Sequence, residues 1–224
     1  MEPRGRPART NHEPPFTKGS LPVTIPENTP TRSGGITGRD LVTVGIFTVI
    51  FAVINVLFNV IGVLGPEVQP FGAVAAIIVN GIPFALFIRR VHGFGLVTTA
   101  ATLLSLISGL LGDAFVGVPI AFLLGLIADL IIRSGGYRDA GRTILGYGIF
   151  GIYPIGSLLP LLFMRDEIIT RYAENSDPEW AQRFSDFLST PMVIAMIVLF
   201  FLAALIGGWI GQRVLRSYFS RAGL

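Results

Sequence analysis

Cysteine is absent from this chain of 224 residues, and histidine occurs only twice. The absence of cysteine excludes disulfide bonds, thiolate metal sites and cysteine nucleophiles. The two histidines, His12 and His92, lie in stretches outside the apolar segments, so an apolar interior holds no imidazole for catalysis or metal binding. The sequence also lacks the phosphate-binding pattern G-x-x-x-x-G-K-S/T. We therefore expect a protein that is not an enzyme, has no metal site or cofactor, and does not hydrolyse ATP itself.

Charged residues are also scarce. They make up 14% of the chain, against 51% hydrophobic residues, whereas soluble domains carry about 25% charged residues. The mean hydropathy is +0.67. A helix needs roughly 20 apolar residues to cross a hydrocarbon core of about 30 Å. The sequence therefore predicts an all-α integral membrane protein, a six-transmembrane-helix bundle within residues 40–222, with spans at about 40–64, 70–88, 94–112, 114–132, 143–164 and 190–212.

The orientation of these spans follows from the basic residues, because Lys and Arg collect in short cytoplasmic loops. With the N-terminus in the cytoplasm, the outer side carries only Arg165, Arg171 and Arg183 of the 17 basic residues. Joining the third and fourth spans into one would spoil this alternation. We therefore expect a multi-pass protein of the cell membrane with both termini cytoplasmic.

Two segments fall outside the predicted spans. Residues 1–39 are rich in Pro, Arg, Gly and Thr and have no apolar run, which predicts a disordered cytoplasmic tail and not a secretory signal. The external loop at about 165–189 contains a helix capping box from Ser176 to Glu179, followed by an apolar face. We expect a short amphipathic helix there. Two roles stay open for it: lying on the lipid interface or covering an outward pocket.

Polar side chains inside the spans are the candidate binding residues. Asn55 and Asn59 lie one turn apart on the first helix, Asn80 lies near the middle of the second, and Asp113 closes the third at its outer end. An unsatisfied polar group is costly in lipid, so each faces a partner or a cavity. We predict that these four bind a small polar solute, and the alternative is hydrogen bonding between helices.

Other polar residues of the spans have bonding within the bundle as their default role. Asp129 lies one turn before Arg133, which predicts an ion pair between them or contact with interfacial water. The remaining ones are Thr98, Thr102 and Ser105, which form a hydroxyl stripe, and Tyr153 and Ser157 on the fifth span.

Small residues spaced four apart form a second pattern. Thr48 and Ala52 are such a pair on the first helix, and Ala203 and Gly207 belong to a row on the sixth. Rows of this kind allow two helix backbones to approach closely. Packing within the bundle explains them by default, and docking of another membrane protein is the alternative that makes these four residues candidate interface positions.

Four blocks of the chain resemble a known group. They are GRDLVTVGIFTVIFAVINVLFNVIG on the first helix, NGIPFALFIRRV at the end of the second, the SGLLGD hinge, and LGLIADLIIRSGGYRD on the fourth. These blocks resemble the substrate-binding S components of energy-coupling factor (ECF) transporters, in particular the kind named Trep_Strep. The similarity covers about residues 38–222.

This resemblance implies a six-helix bacterial membrane protein that captures a micronutrient from outside. Such a protein docks on a transmembrane coupling protein served by two cytosolic ATPases, and it contacts that coupling protein through a small-residue motif that maps onto Thr48 and Ala52. Family members often have alanine at both positions, so Thr48 is a departure. The alternatives are a non-transporting scaffold that binds a partner helix, and a stand-alone channel or secondary transporter.

Overall fold

The computed structural model describes residues 36–159 except Pro66 and His92, residues 189–221, and the single positions Thr170, Glu174, Glu179, Arg183, Asp186 and Phe187. These residues form six α-helices and two 3-10 segments, with no strand among them. The helices are α1 (Gly38–Asn59), α2 (Gln69–Arg90), α3 (Leu96–Leu110), α4 (Gly117–Ser134), α5 (Ala140–Phe150) and α6 (Thr190–Arg221), and the 3-10 segments are Val60–Leu64 and Tyr153–Ser157.

Four helical segments are long and apolar enough to cross a membrane. They are Gly38–Gly62, Gln69–Arg90, Gly117–Ser134 and Thr190–Ser217. Of the other two helices, α3 is apolar but has only 15 residues, a length of roughly 22 Å at 1.5 Å per residue, and α5 has 11 residues. The all-α prediction is confirmed for the described residues, whereas α3 and α5 are shorter than the spans predicted for them.

The fifth predicted span is interrupted. Helix α5 ends at Phe150, and a 3-10 turn follows over Tyr153–Ser157. Pro154 explains the break, because proline has no N–H for a helical hydrogen bond and disfavours the α conformation in the residue before it. The α-helix within the fifth predicted span, about 143–164, therefore ends at Phe150.

The start of α1 is fixed by a capping box. The Asp40 N–H donates to the Thr37 hydroxyl at 3.3 Å, and the Thr37 N–H donates to the Asp40 carboxylate at 3.0 Å. These two bonds satisfy donors that the first helical turn would otherwise leave free. Residues 1–35 of the predicted tail, and most of the predicted external loop with its amphipathic helix, lie outside the described residues.

The same glycine turn follows both α3 and α4. After α3, Gly112 (φ 118°) allows the Asp113 N–H to bond to the Ser108 carbonyl at 3.0 Å. After α4, Gly136 (φ 60°) allows the Tyr137 N–H to bond to a carbonyl five residues earlier at 3.2 Å. This is the Schellman motif, in which a residue with positive φ closes the last turn of a helix. The motif fixes the backbone positions of Asp113 and Tyr137.

A cluster of aromatic rings fills the centre of the bundle. The ring centroid of Phe84 in α2 lies 4.6 Å from that of Tyr147 and 5.0 Å from that of Phe150, both in α5. Phe51 of α1 lies 6.3 Å from Phe84. All four side chains are buried, and each such aromatic pair contributes about 0.5–1.5 kcal/mol beyond burial. The cluster therefore joins α1, α2 and α5.

Helices α2 and α6 approach each other through small residues. A Cβ added to Gly207 would lie 2.7 Å from the Ile78 carbonyl oxygen, and one added to Gly211 would overlap the backbone of Gly81. Ala203, one turn earlier on α6, is 2% exposed. Close backbone contact of this kind needs small side chains. Both Ala203 and Gly207 are buried inside the bundle, which agrees with the default explanation of internal packing, and their contact with a partner protein stays a prediction.

The small-residue pair on α1 also faces inward. Thr48 is 2% exposed, and its hydroxyl oxygen has no hydrogen-bond partner among the residues that the structure describes. Ala52 is half-buried and lines a cavity. The outer face of α1 instead carries large apolar side chains, namely Val42, Ile46, Val49 and Val53. Contact of Thr48 and Ala52 with a coupling protein stays a prediction, and the inward position of Thr48 agrees with the alternative of packing within the bundle.

Candidate functional site

A partly open cavity lies at the end of the bundle where α1 finishes and α3 turns into α4. Its volume is about 70 Å³, and a single water molecule needs roughly 10–15 Å³ on the same scale. The cavity therefore has room for a few water molecules or a small solute. Its lining residues are Ala52, Asn55, Val56, Asn59, Leu104, Ile107, Ser108, Leu111, Asp113 and Tyr153.

The Asn55 side chain is held in one orientation. Its amide nitrogen donates to the Phe51 carbonyl at 2.9 Å and to the Tyr153 hydroxyl at 3.0 Å. A backbone carbonyl can only accept, so the atom beside Phe51 must be the nitrogen. Both amide hydrogens are thereby used. The amide oxygen of Asn55, a residue that lines the cavity, has no donor to it among the described residues.

Asp113 lies in the connection between α3 and α4, outside both helices. It is half-buried, and the Ser108 hydroxyl donates a hydrogen bond to its carboxylate. Burial raises the pKa of the Asp113 carboxyl above its ordinary value, although the bond from Ser108 acts in the opposite direction. The Asp113 carboxyl is thus poorly hydrated, and no basic side chain lies beside it among the described lining residues.

The other two predicted binding residues are in different situations. Asn59 is the last residue of α1, is exposed and lines the cavity. Asn80 is 5% exposed inside α2 and does not line it. The Asn80 amide oxygen has no hydrogen-bond partner within the described part of the chain. The structure therefore brings Asn55, Asn59 and Asp113 together and places Asn80 elsewhere, which corrects the grouping of all four in one pocket.

Two cavity residues were missed as site residues. Ser108 continues the hydroxyl stripe of α3 by one turn, so the helical repeat could have found it. Tyr153 reaches Asn55 because α5 ends before it and a 3-10 turn follows. Pro154 is the sequence signal for this end of the helix. The side chain of Ser157 lies outside the described residues.

The hydroxyl stripe of α3 divides into two parts. The Thr102 hydroxyl donates to the Thr98 carbonyl at 2.8 Å, which satisfies it within its own helix. Ser105 instead lines a smaller void next to the cavity, together with Asp113 and Tyr153. Only the end of the stripe nearest to Asp113 therefore contributes to the candidate site.

Comparison with known proteins gives the family. The family model Trep_Strep, described as a hypothetical bacterial integral membrane protein, matches residues 38–221. The chain belongs to this family. No curated protein and no solved structure matches the chain. This Trep_Strep protein is accordingly an integral membrane protein of bacteria.

A second carboxylate of this Trep_Strep protein, Asp129, is fully buried in α4 at the start of α3. It accepts hydrogen bonds from the Gly95 N–H at 2.7 Å, the Thr98 N–H at 3.5 Å and the Tyr137 hydroxyl at 3.0 Å. The Thr98 hydroxyl also donates to it at 3.4 Å. A carboxylate at a helix N-terminus is stabilised by the free N–H groups and by the helix dipole. Asp129 thus caps α3 from the neighbouring helix.

The predicted pairing of Asp129 with Arg133 is wrong. The Arg133 guanidinium lies over the ring of Phe94, 4.8 Å from its centroid, while Asp129 is fully buried and bonded elsewhere. The contact between Arg133 and Phe94 is a cation–π interaction. Asp129 does not reach interfacial water either.

The described arginines of the helix termini lie away from the cavity. They occur at the start of α1, toward the ends of α2, α4 and α6, in the connection from α4 to α5 and in the first turn of α5. The residues are Arg39, Arg89, Arg90, Arg133, Arg138, Arg142, Arg213 and Arg216. The cavity lies where α1 ends, and none of its lining residues is basic. One end of the described bundle is therefore arginine-rich, and the other carries the cavity.

Proposed function

We propose that this Trep_Strep protein is the membrane-embedded substrate-binding subunit, or S component, of an ECF-type ABC importer. It captures a small polar solute from outside and passes it on through a transmembrane coupling protein and two cytosolic ATPases. In this proposal the chain crosses the membrane six times, with both termini in the cytoplasm. The observation that carries the proposal is the cavity formed by Asn55, Asn59, Asp113 and Tyr153 at one end of the bundle.

The distribution of arginine supports an outward-facing cavity. Arginine-rich segments stay on the cytoplasmic side of a membrane, and the described arginines of the helix termini lie at the end of the bundle opposite to the cavity. A binding subunit for uptake needs its site on the outer side. The proposed orientation meets that requirement.

The chemistry of the cavity supports a polar solute. The Asn55 amide oxygen and the Asp113 carboxylate are exposed to the cavity without a basic partner among its lining residues. Polar groups at membrane depth are costly unless they meet a partner or water. The lining also includes Leu104, Ile107 and Leu111, so a bound solute would have an apolar side. A few convergent polar groups on an apolar wall are typical of ligand sites.

A test of the proposal combines ligand retention with partner capture. The full chain is expressed in its native host, purified in mild detergent, and its retained small molecules are identified by mass spectrometry. We expect one small polar solute in the unmodified protein, and a strongly reduced amount in Asn59→Leu. Val60→Leu is the control, because Val60 is the neighbouring exposed residue and does not line the cavity.

The same purification distinguishes the alternatives. Recovery of a transmembrane coupling protein and two ATPases with the chain supports an ECF importer. A partner helix protein without ATPases would instead indicate a scaffold. Solute uptake that persists after ATP depletion, in cells lacking the coupling protein, would indicate a stand-alone channel or secondary transporter.

A further inference from the structure

Asn55 and Asp113 bring hydrogen-bond acceptors to the cavity lining, while Asn59 and the Tyr153 hydroxyl keep donors of their own. Both amide hydrogens of Asn55 are engaged, by the Phe51 carbonyl and the Tyr153 hydroxyl, so only its oxygen remains for a ligand. Asp113 contributes a carboxylate, which accepts a hydrogen bond from the Ser108 hydroxyl. An ionised carboxylate accepts hydrogen bonds only. A ligand that bonds to both the Asn55 amide oxygen and the Asp113 carboxylate must therefore bring donors.

The charge at the cavity has one sign. Asp113 is the carboxylic acid of the lining, and none of the lining residues that the structure describes is Lys, Arg or His. Glu67, at the same end of the bundle, adds negative charge and is exposed. An anionic ligand would meet repulsion from Asp113, and at short range in a poorly hydrated site such repulsion is strong. The cavity therefore favours a cation over an anion.

From the acceptor set and the charge, we propose that the solute carries a protonated primary amine, which binds between the Asp113 carboxylate and the amide oxygen of Asn55. An ammonium group has three N–H donors and no acceptor, which matches this pair of acceptors. Asn59 supplies a third polar group at the rim, and Leu104, Ile107 and Leu111 contact the carbon part of the solute. That the site serves solute capture is taken from the proposed function. The preference for an amine rests on the residues of the cavity alone.

The experiment uses three two-carbon solutes that differ in one group. They are ethanolamine, which is a cation, ethylene glycol, which is neutral, and glycolate, which is an anion. Each is titrated against the purified full chain in detergent at mildly alkaline pH, which favours the ionised form of Asp113, and the shift in thermal unfolding temperature is recorded. Ligands that bind only the folded state raise this temperature in a concentration-dependent way.

We expect ethanolamine to raise the unfolding temperature, with ethylene glycol and glycolate giving smaller shifts or none. Asp113→Asn should weaken the ethanolamine response at least about tenfold in apparent affinity, because a charge-assisted bond is lost. Glu67→Gln is the matched control. It removes one negative charge at the same end of the bundle but away from the lining, so it should leave the response unchanged.

Three results would overturn the proposal: a larger shift with ethylene glycol or glycolate, an unchanged ethanolamine response in Asp113→Asn, or no shift with any of the three solutes. Since the purified chain is tested without partners, the result is separate from the importer assignment. Capture of a coupling protein and ATPases, together with a failed amine test, would keep the proposed function and refute the amine. The reverse pair of results would keep the amine and refute the importer.

Discussion

Two aspartates at opposite ends of the α3–α4 pair have opposite surroundings. Asp129 is fully buried and accepts hydrogen bonds from two backbone N–H groups and two hydroxyls. Asp113 is half-buried, with the Ser108 hydroxyl as its side-chain donor, and it faces a cavity. The difference indicates that Asp129 serves the fold, and it supports the proposal that Asp113 binds a ligand.

The largest effect is expected at Asp129. Asp129→Ala removes the acceptor for the Gly95 and Thr98 N–H groups and for the Tyr137 hydroxyl. Each buried donor left unsatisfied costs roughly 1–3 kcal/mol, so we expect a loss of stability on the order of 3–5 kcal/mol. Thermal unfolding in detergent measures it. If Asp129→Ala unfolds at the same temperature as the unmodified chain, Asp129 does not stabilise the fold and does not differ from Asp113 in this respect.

Asp113→Asn should have the contrasting outcome. The amide is neutral and avoids the cost of keeping a charge in a poorly hydrated place, and its oxygen can still accept from Ser108. We expect an unfolding temperature that is unchanged or higher without ligand, combined with the tenfold or greater loss of amine binding, on the order of 1.4 kcal/mol. A strong loss of stability in this variant would mean that Asp113 also serves the fold.

The pH dependence of binding provides a third comparison. Because the pKa of Asp113 is raised by burial, its ionised form is lost on acidification at a higher pH than for an exposed aspartate. Amine binding that needs the carboxylate should therefore weaken as the pH falls through this raised pKa, and it should stay constant above it until the amine itself loses its proton at alkaline pH.

The groups facing Asp113 include one further titratable side chain. Ser108 comes from α3, Asn55 and Asn59 come from α1, and Tyr153 comes from the 3-10 segment; of these only Tyr153 titrates, and only at alkaline pH. Titration of binding against pH in Asp113→Asn should be flat over the acidic range. A persisting acidic loss in that variant would assign the effect to another group.

A pair of tyrosine variants gives the smallest expected effect. Tyr137→Phe removes one donor to Asp129 and should reduce stability by about 0.5–1.5 kcal/mol, without changing amine binding. Tyr153→Phe removes the acceptor of one Asn55 amide hydrogen and should change amine binding instead, because Asn55 is then free to reorient. Unfolding and binding measured on both variants check the pair. Equal effects of Tyr137→Phe and Tyr153→Phe on amine binding would contradict the proposal that Tyr137 supports the fold and Tyr153 supports the site.

The helical repeat was sufficient for part of the site. Asn55 and Asn59 share one face of α1, and the glycine hinge after α3 delivers Asp113 to the same end, so their meeting follows from local rules. Asn80 was grouped with them by its apolar surroundings alone. Its direction depends on how α2 is rotated against α1 and α6, which one sequence does not reveal.

The hydrogen-bond partners of Asp129 could not be predicted from the spacing of residues along one helix. The rule for residues four apart on a helix favoured Arg133, but the structure uses Gly95 from the start of α3 and Tyr137 from the turn after α4. These contacts depend on the packing of two helices. The break at Pro154, by contrast, follows from the chemistry of proline and was available in the sequence.

The central claim is that the cavity opens on the outer side of the membrane and holds a small polar solute. Because the chain has no cysteine, Asn59→Cys and Arg138→Cys each introduce a single thiol, one at the cavity and one at the arginine-rich end. Intact cells are treated with a membrane-impermeant maleimide, and labelling of the purified chain is measured. We predict labelling of N59C, slower labelling of N59C when ethanolamine is present, and no labelling of R138C. Labelling of R138C but not of N59C would contradict the account.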